Sequence, residues 1–454
     1  ASGWDEDKQG PWQYNINRDN IYDFWNGWVE KLGGFEAVYT MGMRSNLDLP
    51  MEGDLTIDEK VTLMEEIIDD QRQILTTNIN QPIEDIPQVL VLYKEVLGLY
   101  DQGIEVPDDV TLVWPDDNYG YIKRLSNSRE RARSGGAGVY YHLSYLGRPH
   151  DYLWLSTTHP VLIWEEMQKA YDFNARELWV FNVGDIKPAE YNISFALDMA
   201  WDVSAFNKDN LREHKKKWLG NIFGDALAKE LADIRYTYYR LAFERKPEYM
   251  GWDRLEPTTP VVDTEFSSIH YREAERRLRL SKKIKKRTDA IYQTLPQHQK
   301  AAFFQLVWYP VACQYYTDAK MLHAQTNRLF AAQGRASTND YAALATAYWD
   351  SIKIATKDYH NLLDGKWQDI IQWDGIGINP PKYWLPRTES NFNLIENQPN
   401  YFMPPVEHNV PTSEASMGIF TEGFENKVLI DGHPRLPWFN SMYKKSYYFD
   451  IFNK

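Results

Sequence analysis

The sequence predicts an α/β fold, in which the later part of a (β/α)8-type barrel is followed by a helical-bundle domain and the start of a β domain. Three observations support this prediction. Short β-rich runs alternate with helical patterns over residues 36–200, strand signals vanish from 203 to about 365, and β-like runs return after residue 418. The predicted domains are therefore 1–202, 203–373 and 374–454, the last being a linker with a truncated β domain.

Five strands are predicted in the first domain, at 37–41, 89–93, 110–113, 138–141 and 178–183. Helical patterns accompany them at 57–75, 95–100, 121–131, 160–173 and 188–200. Strands separated by helices indicate parallel βαβ units. A closed barrel needs eight strands and about 250 residues, so five strands are too few. Either the sheet is open, or the first barrel strands belong to a longer parent protein.

The remainder of the chain lacks this alternation. Amphipathic patterns at 211–243, 267–295, 297–332 and 339–363 predict a helical bundle. Residues 374–416 are rich in Pro, Asn and Gly and are typical of an irregular linker. Two β-like runs follow, at 428–430 and 446–452. Because a common β-sandwich needs roughly seven strands, only the start of such a domain is expected.

The composition excludes several classes of function. The 454 residues include 64 acidic and 50 basic ones, a net charge of −14, which argues against nucleic acid or an anionic membrane as partner. The basic run at 282–287 is interpreted as a solvated helix face. The one cysteine, Cys313, excludes an intramolecular disulfide and a thiolate metal cluster, and no cofactor is predicted. Among 17 Trp and 30 Tyr, some side chains are candidates for flat platforms under sugar rings.

The most informative motif is WPDDNYG at residues 114–120, directly after the third predicted strand. It places Asp116, Asp117 and Asn118 at a strand end, and the fourth predicted strand is followed by His142. Glu95 lies just beyond the second strand. Carboxylates, an amide and an imidazole at the carboxyl ends of successive strands are the arrangement from which a β/α barrel builds an active site.

Each of these residues also has a structural interpretation. Asp116 or Asn118 could cap a helix, and Glu95 could be a first-turn carboxylate favoured by the helix dipole. His142 beside aromatic residues is more often a hydrogen-bonded structural residue. Two carboxylates at neighbouring strand ends could instead divide acid and base roles, one keeping its proton and the other staying ionised.

Two further strand-end loops carry polar residues. Arg44 and Asp48 follow the first strand as a surface ion pair or, alternatively, as an Arg that holds a substrate carboxylate. In the loop after the fifth strand, helix capping by Asp185 is the favoured interpretation. No HExxH, EF-hand, Gly-rich phosphate loop or GxSxG motif occurs.

Four runs together resemble a known family. These are VYTMGMR at 38–44, WPDDNYG at 114–120, RSGGAGVYYH at 133–142 and NVGDIKP at 182–188. They occur in the order found in glycoside hydrolase family 115, the xylan α-1,2-glucuronidases. The resemblance runs through most of residues 1–202, and the final run at 436–453 resembles the start of that family's last β domain. After Arg44 this chain reads SNLD where the family has a glycine-rich acidic loop.

The resemblance implies removal of glucuronic acid, or its 4-O-methyl form, from glucuronoxylan or its oligosaccharides with inversion at the anomeric carbon. Inversion needs two carboxyl groups about 6.5–9.5 Å apart. By resemblance Glu95 is the candidate general acid, Asp116 and Asp48 are candidates for activating the water, and the residues that would contact the sugar are Arg44, Asn118 and His142. An extracellular or periplasmic enzyme, compatible with a homodimer, is implied. The alternative is a non-catalytic glycan-binding protein with a degenerate or incomplete barrel site.

Overall fold

The computed structural model describes residues 3–45, 49–146, 152–184, 186–251, 262–368, 370–371, 403–410, 413–422, 429–430, 433–439, 442 and 446–454. This part of the chain divides into two units. The first comprises Ala1–His142, Leu162–Asn182 and Ala200–Val203, and the second comprises Leu143–Val161, Val183–Met199 and Ser204–Lys454. None of the described helices combines the length and the apolar character that a membrane span requires.

The first unit is built on a five-stranded parallel sheet in the order β1-β2-β3-β4-β5. Its strands are β1 (Tyr39–Thr40), β2 (Gln88–Val91), β3 (Thr111–Pro115), β4 (Ala137–His142) and β5 (Ala175–Asn182). All four neighbouring pairs are parallel. The prediction of an α/β fold with five parallel strands is confirmed.

The sequence predicts no helix before residue 57, but most of its helical patterns correspond to the described helices. They are α1 (Glu6–Gln9), α2 (Tyr14–Leu32), α3 (Ile57–Asn78), α4 (Glu95–Asp101), α5 (Pro160–Asp172), α6 (Glu190–Trp201), α7 (Leu211–Phe223), α8 (Asp225–Glu244), α9 (Glu273–Thr294), α10 (Gln297–Phe303), α11 (Tyr309–Gln333), α12 (Thr338–His360) and α13 (Leu362–Gly365). The single pattern predicted at 211–243 is two helices, because Gly224 between them adopts φ +92°. That backbone conformation ends a helix.

One predicted helix, at 121–131, does not form. The structure has only a short 3-10 turn there, Glu130–Ala132. Side chains take up the amides at the start of this segment, since Asp116 accepts hydrogen bonds from the amides of Asn118 and Gly120, Asp117 from those of Tyr119 and Tyr121, and Glu166 from that of Ile122. Side-chain carboxylates that bind nearby amides offer the backbone an alternative to the helix.

The centre of the sheet is buried and apolar. Leu112, Val113 and Trp114 of β3 and Val139 of β4 are fully enclosed. Helices cover both faces of parallel sheets, so their central strands are near-continuous apolar runs. The one polar atom that Trp114 brings into this core, its indole Nε1, donates to Ser126 Oγ at 2.8 Å. The polar groups at the strand ends are therefore attached to buried, closely packed strands.

Gly138 is required where β4 packs against β5. A Cβ atom at this position would lie 2.4 Å from the carbonyl oxygen of Leu178, a backbone atom that cannot move aside without disturbing the strand pairing. We expect Gly138→Ala to lower the free energy of unfolding by about 1–3 kcal/mol, as overpacking usually does. Urea denaturation would measure this change. The matched control is Gly98→Ala, since a Cβ there meets nothing within 4 Å. Equal midpoints for both variants would contradict the argument.

The second unit is mainly helical. Its longest helix, α11, continues from α10 through a π-helical segment, Phe304–Trp308. Buried charges are paired there, since Arg277 Nε donates to Asp318 Oδ1 at 2.8 Å and the same guanidinium donates to the carbonyl oxygens of Leu241 and Arg245. The described C-terminal part forms two antiparallel strand pairs, Met417–Thr421 with Phe449–Asn453 and Leu429–Ile430 with His433–Pro434.

Candidate active site

The candidate site lies at the carboxyl edge of the sheet in the first unit. Arg44 follows β1, Glu95 follows β2, Asp116 follows β3 and His142 ends β4. Because the strands are parallel and adjacent, these four positions lie on the same edge. In parallel α/β sheets this is the edge where ligands bind.

Arg44 and Glu95 form a two-pronged ion pair. Arg44 Nε donates to Glu95 Oε1 at 2.7 Å, and Nη2 donates to Oε2 at 3.0 Å. The side chains retain 20% and 25% of their exposure, so solvent or a ligand can reach both. The planar fork of a guanidinium matches any carboxylate in this way, including one on a ligand. The main chain of Arg44 is also held in place, since Trp12 Nε1 donates to its carbonyl oxygen at 2.9 Å.

The backbone at Lys94 determines where Glu95 lies. Lys94 adopts φ +52° and ψ −121°, a sparsely populated conformation for a residue with a side chain, and α4 begins at the next residue. Such a conformation costs about 1–3 kcal/mol and persists only where its surroundings impose it. The abrupt transition from strand to helix leaves Glu95 at the strand end, beside Arg44. Strained residues of this kind are concentrated at functional sites.

Asp116 is the buried centre of a second polar group. Its Oδ1 accepts from His142 Nδ1 at 2.6 Å and from the Asn118 amide at 3.0 Å. Its Oδ2 accepts from the amides of His142 and Gly120, both at 3.1 Å. Each oxygen therefore accepts two hydrogen bonds, and the Asp116 and His142 side chains are 0% and 1% exposed. A carboxylate partner requires Nδ1 of the imidazole to carry a proton, which fixes the ring's orientation.

A cluster of rings connects the two polar groups. The guanidinium carbon of Arg44 lies 5.6 Å from the centroid of the Tyr93 ring. The Tyr93 centroid in turn lies 5.4 Å from that of Tyr140 and 5.9 Å from that of His142. Tyr140 and His142 are 4.8 Å apart, edge to face. The structure therefore brings Arg44, Glu95, Asp116 and His142 into one neighbourhood.

Asn118 extends this group, and its backbone is in the left-handed region with φ +70°. Asn tolerates that conformation better than most residues.

Asp48 and Asp185 lie outside the described residues. Lys187 and Glu190, which follow Asp185 in the sequence, form an ion pair with each other in the second unit. Among the described residues no group of three or more His, Cys, Asp or Glu side chains is placed to hold a metal ion.

An open cavity of about 430 Å³ adjoins Arg44 on the β1 side. Its walls include the indoles of Trp12, Trp25 and Trp28 and the side chain of Met43. Trp28 is 43% exposed, so part of its indole is open to solvent there. Ligand pockets of about 300–1,000 Å³ are common, and aromatic faces suit the apolar side of a sugar ring.

Comparisons with known proteins identify the family of this chain. Residues 1–249, more than half of the chain, match the model of glycosyl hydrolase family 115. The chain belongs to glycoside hydrolase family 115. Among solved structures it is similar to a 4-O-methyl-α-glucuronidase of the family, BtGH115A, described as having specificity for decorated arabinogalactans. The sequences are 38% identical, the TM-score is 0.76, and the match covers 84% of this chain and 50% of the other.

The chain thus spans about half the length of the family 115 structure that it matches. No curated protein matches the chain. The family resemblance stated from the four sequence runs is confirmed, and the matched residues contain every described member of the candidate site.

Sequence reasoning missed Tyr93 and Tyr140 in this family 115 chain. Strand alternation could have identified Tyr140, because residues two apart on a strand share a face and Tyr140 stands two before His142. Tyr93 directly precedes the strained Lys94 and could have been identified from its position between strand and helix. Neither signal specifies the ring contacts, since these depend on the pairing of β2, β3 and β4.

Proposed function

We propose that this chain carries catalytic residues of an inverting α-glucuronidase, which removes glucuronic acid or 4-O-methylglucuronic acid side chains from glucuronoxylan. The main support is the meeting of the Arg44–Glu95 and Asp116–His142 pairs at one sheet edge in a family 115 chain. The similarity to an α-glucuronidase supports the uronate as the leaving sugar. We further propose that the five strands are the later part of a (β/α)8 barrel, and that the enzyme acts outside the cytoplasm.

The identity of the polymer has to be determined by comparing glucuronoxylan directly with decorated arabinogalactan. The resemblance that first suggested the function points to xylan, whereas BtGH115A is described as specific for decorated arabinogalactans. Arg44 and Glu95 would contact the uronate itself, which both polymers carry. The choice between polymers therefore depends on contacts to the backbone sugars.

In the proposed mechanism Glu95 is the general acid. An acid must carry a proton, whereas Glu95 is held by both oxygens to the Arg44 guanidinium. We propose that the substrate's uronate displaces Glu95 from Arg44, since both are carboxylates that suit the same fork of donors. Glu95, released beside the glycosidic oxygen, can then take up a proton and give it to the leaving group. Binding of the correct sugar would thus prepare the acid.

The water would be activated by a different carboxylate. Asp116 was one candidate, but each of its oxygens already accepts two hydrogen bonds from the protein. The sugar contact predicted for His142 does not fit a side chain that is 1% exposed and packed against Tyr93 and Tyr140. We propose that Asp116 and His142 instead position the residues around them, and that Asn118 contacts the sugar. Asp48, four residues after Arg44, then remains the candidate for activating the water. Inversion requires the water-activating carboxyl group to lie about 6.5–9.5 Å from that of the acid.

The second candidate function is non-catalytic glycan binding. It is favoured by one observation, namely that the two carboxylates of the described site are both engaged, Glu95 by Arg44 and Asp116 by its four donors. A protein of this kind would hold a uronate at Arg44 without cleaving the linkage.

Release of sugar acid separates the two functions. The intact polypeptide that carries this sequence would be incubated with glucuronoxylan and with glucuronic-acid-decorated arabinogalactan, and the products followed by proton NMR. The proposal expects free glucuronic acid or its 4-O-methyl form from glucuronoxylan, appearing first as the β-anomer. Binding without release would favour the non-catalytic function, release of the α-anomer would contradict inversion, and release from arabinogalactan alone would contradict xylan as substrate.

Arg44→Lys tests the uronate contact. Lysine keeps the positive charge but presents a point charge in place of two parallel donors, so we expect binding of glucuronic acid to weaken about tenfold. Isothermal titration calorimetry would measure this, with glucose as the neutral ligand. The control is Arg18→Lys, which alters another two-pronged pair, with Asp70, in the same unit. If Arg18→Lys weakens uronate binding as much as Arg44→Lys does, Arg44 is not the specific contact.

A further inference from the structure

Helix α9 carries a row of basic side chains on the face opposite its buried one. Its buried residues are Ala274, Arg277, Ser281, Ile284, Thr288 and Ile291. Another five residues are exposed, namely Arg276, Arg279, Lys282, Lys283 and Lys286, which we call the basic stripe. Residues three and four positions apart are neighbours on a helix surface, so these cations form one continuous row. From Arg276 to Lys286 the row is about 15 Å long at 1.5 Å per residue.

The stripe is not neutralised within the described part of the chain. Cations on either side of it do have carboxylate partners, since Arg272 pairs with Glu275, Lys285 with Asp289, and Arg287 with Glu230. None of the five stripe residues makes an ion pair with a described residue. This is unexpected in a protein with 64 acidic and only 50 basic residues.

The stripe has an energetic cost that the fold does not require. Like charges at spacings of three and four on a helix repel each other and destabilise it slightly. The packing of α9 relies on its opposite face, where Arg277 is bound to Asp318 in the interior. An unpaired row of cations that adds nothing to the packing therefore points to a ligand outside the fold.

We propose that the basic stripe binds the uronate-bearing polysaccharide on which the enzyme acts, at a site other than the catalytic one. The identity of the polymer rests on the proposed function. Charge density then favours this polymer over nucleic acid. Double-stranded DNA carries a charge every 1.7 Å or so and would be strongly repelled by a protein of net charge −14, whereas a polymer with sparse uronates is repelled less and can still meet a local row of cations. Attachment of this kind would keep the polymer bound to the polypeptide that carries the active site between cleavages.

Affinity electrophoresis tests the proposal. Arg279→Gln, Lys283→Gln and Lys286→Gln are combined in one variant, and Lys217→Gln, Arg240→Gln and Lys357→Gln in a control. The control removes three exposed cations from other helices, which leaves the same net charge. Both are made beside Glu95→Gln, so that the polymer keeps its uronates. The probes are glucuronoxylan, the same polymer after reduction of its carboxyl groups, and a DNA duplex.

Glucuronoxylan is expected to bind the control and to bind the stripe variant about five- to tenfold more weakly, with binding lost on adding salt. The proposal would be overturned if both variants bound glucuronoxylan equally, or if the control did not bind it. It would also be overturned if the control bound the carboxyl-reduced polymer as well as glucuronoxylan, or bound the DNA duplex more tightly. The proposed function is tested separately, with protein that retains Glu95. If a short uronate-bearing xylo-oligosaccharide yields no glucuronic acid, the catalytic assignment fails whatever the polymer does on the gel.

Discussion

Replacing Glu95 with glutamine is expected to lower kcat for release of glucuronic acid from glucuronoxylan about 10²–10⁴-fold, the usual contribution of a general acid. Glutamine has nearly the same shape but cannot give a proton to the leaving oxygen. It can still accept one hydrogen bond from Arg44 through its carbonyl oxygen. The folded state should therefore survive, and the loss should be confined to the chemical step.

The leaving group provides the sharpest control for this variant. A substrate such as 4-nitrophenyl α-glucuronide departs as a stabilised phenolate and needs little help from an acid. The Glu95→Gln variant is therefore expected to recover most of its activity on it, whereas loss of a nucleophilic or water-activating carboxylate would not be rescued. Glu84→Gln, an exposed glutamate in the same unit, serves as the matched substitution. Equal slowing on both substrates would remove Glu95 from the role of acid.

Much of the fold follows from the sequence because each strand is a short apolar run. Val89, Leu112 and Val139 are buried in three adjacent strands, as such runs predict for a parallel sheet. The helix expected at 121–131 could not be excluded in the same way. At its start the amides are bound by carboxylates instead, by Asp116 and Asp117 close in the sequence and by Glu166, 44 residues beyond Ile122. The spacing of apolar residues does not reveal that side-chain carboxylates compete with the helix for these amides.

The candidate site could be predicted only as a set of positions. Strand ends identify Arg44, Glu95, Asp116 and His142, since parallel strands deliver their ends to one edge. The pairing of these residues could not be predicted. Arg44 and Glu95 are 51 residues apart, and Asp116 and His142 are 26 apart. Which side chain faces which depends on strand register and on the strained backbone at Lys94, and neither can be inferred from residue types.

The second large effect is expected for Asp116→Ala. The change leaves four donors without their acceptor, namely Nδ1–H and the amide of His142 and the amides of Asn118 and Gly120. Each buried unsatisfied donor costs about 1–3 kcal/mol. Water that enters the vacated space would recover part of this, so we expect a loss of about 3–5 kcal/mol, comparable to breaking a buried ion pair. Since domains are stable by only about 5–15 kcal/mol, the unit would be close to unfolding.

Hydrogen–deuterium exchange would locate this loss, because amides of β3 and β4 should exchange much faster while those of α11 in the second unit should not. Asp116→Asn keeps one accepting oxygen but places an NH₂ group opposite donors that the second oxygen used to bind. It is expected to lower the free energy of unfolding less, by about 1–3 kcal/mol. Asp117→Asn is the matched control, since Asp117 also accepts from two amides but lies nearer the surface. If Asp116→Asn were no more harmful than Asp117→Asn, Asp116 would not be the centre that holds His142 in place, and the water-activating role now proposed for Asp48 would be open to Asp116 again.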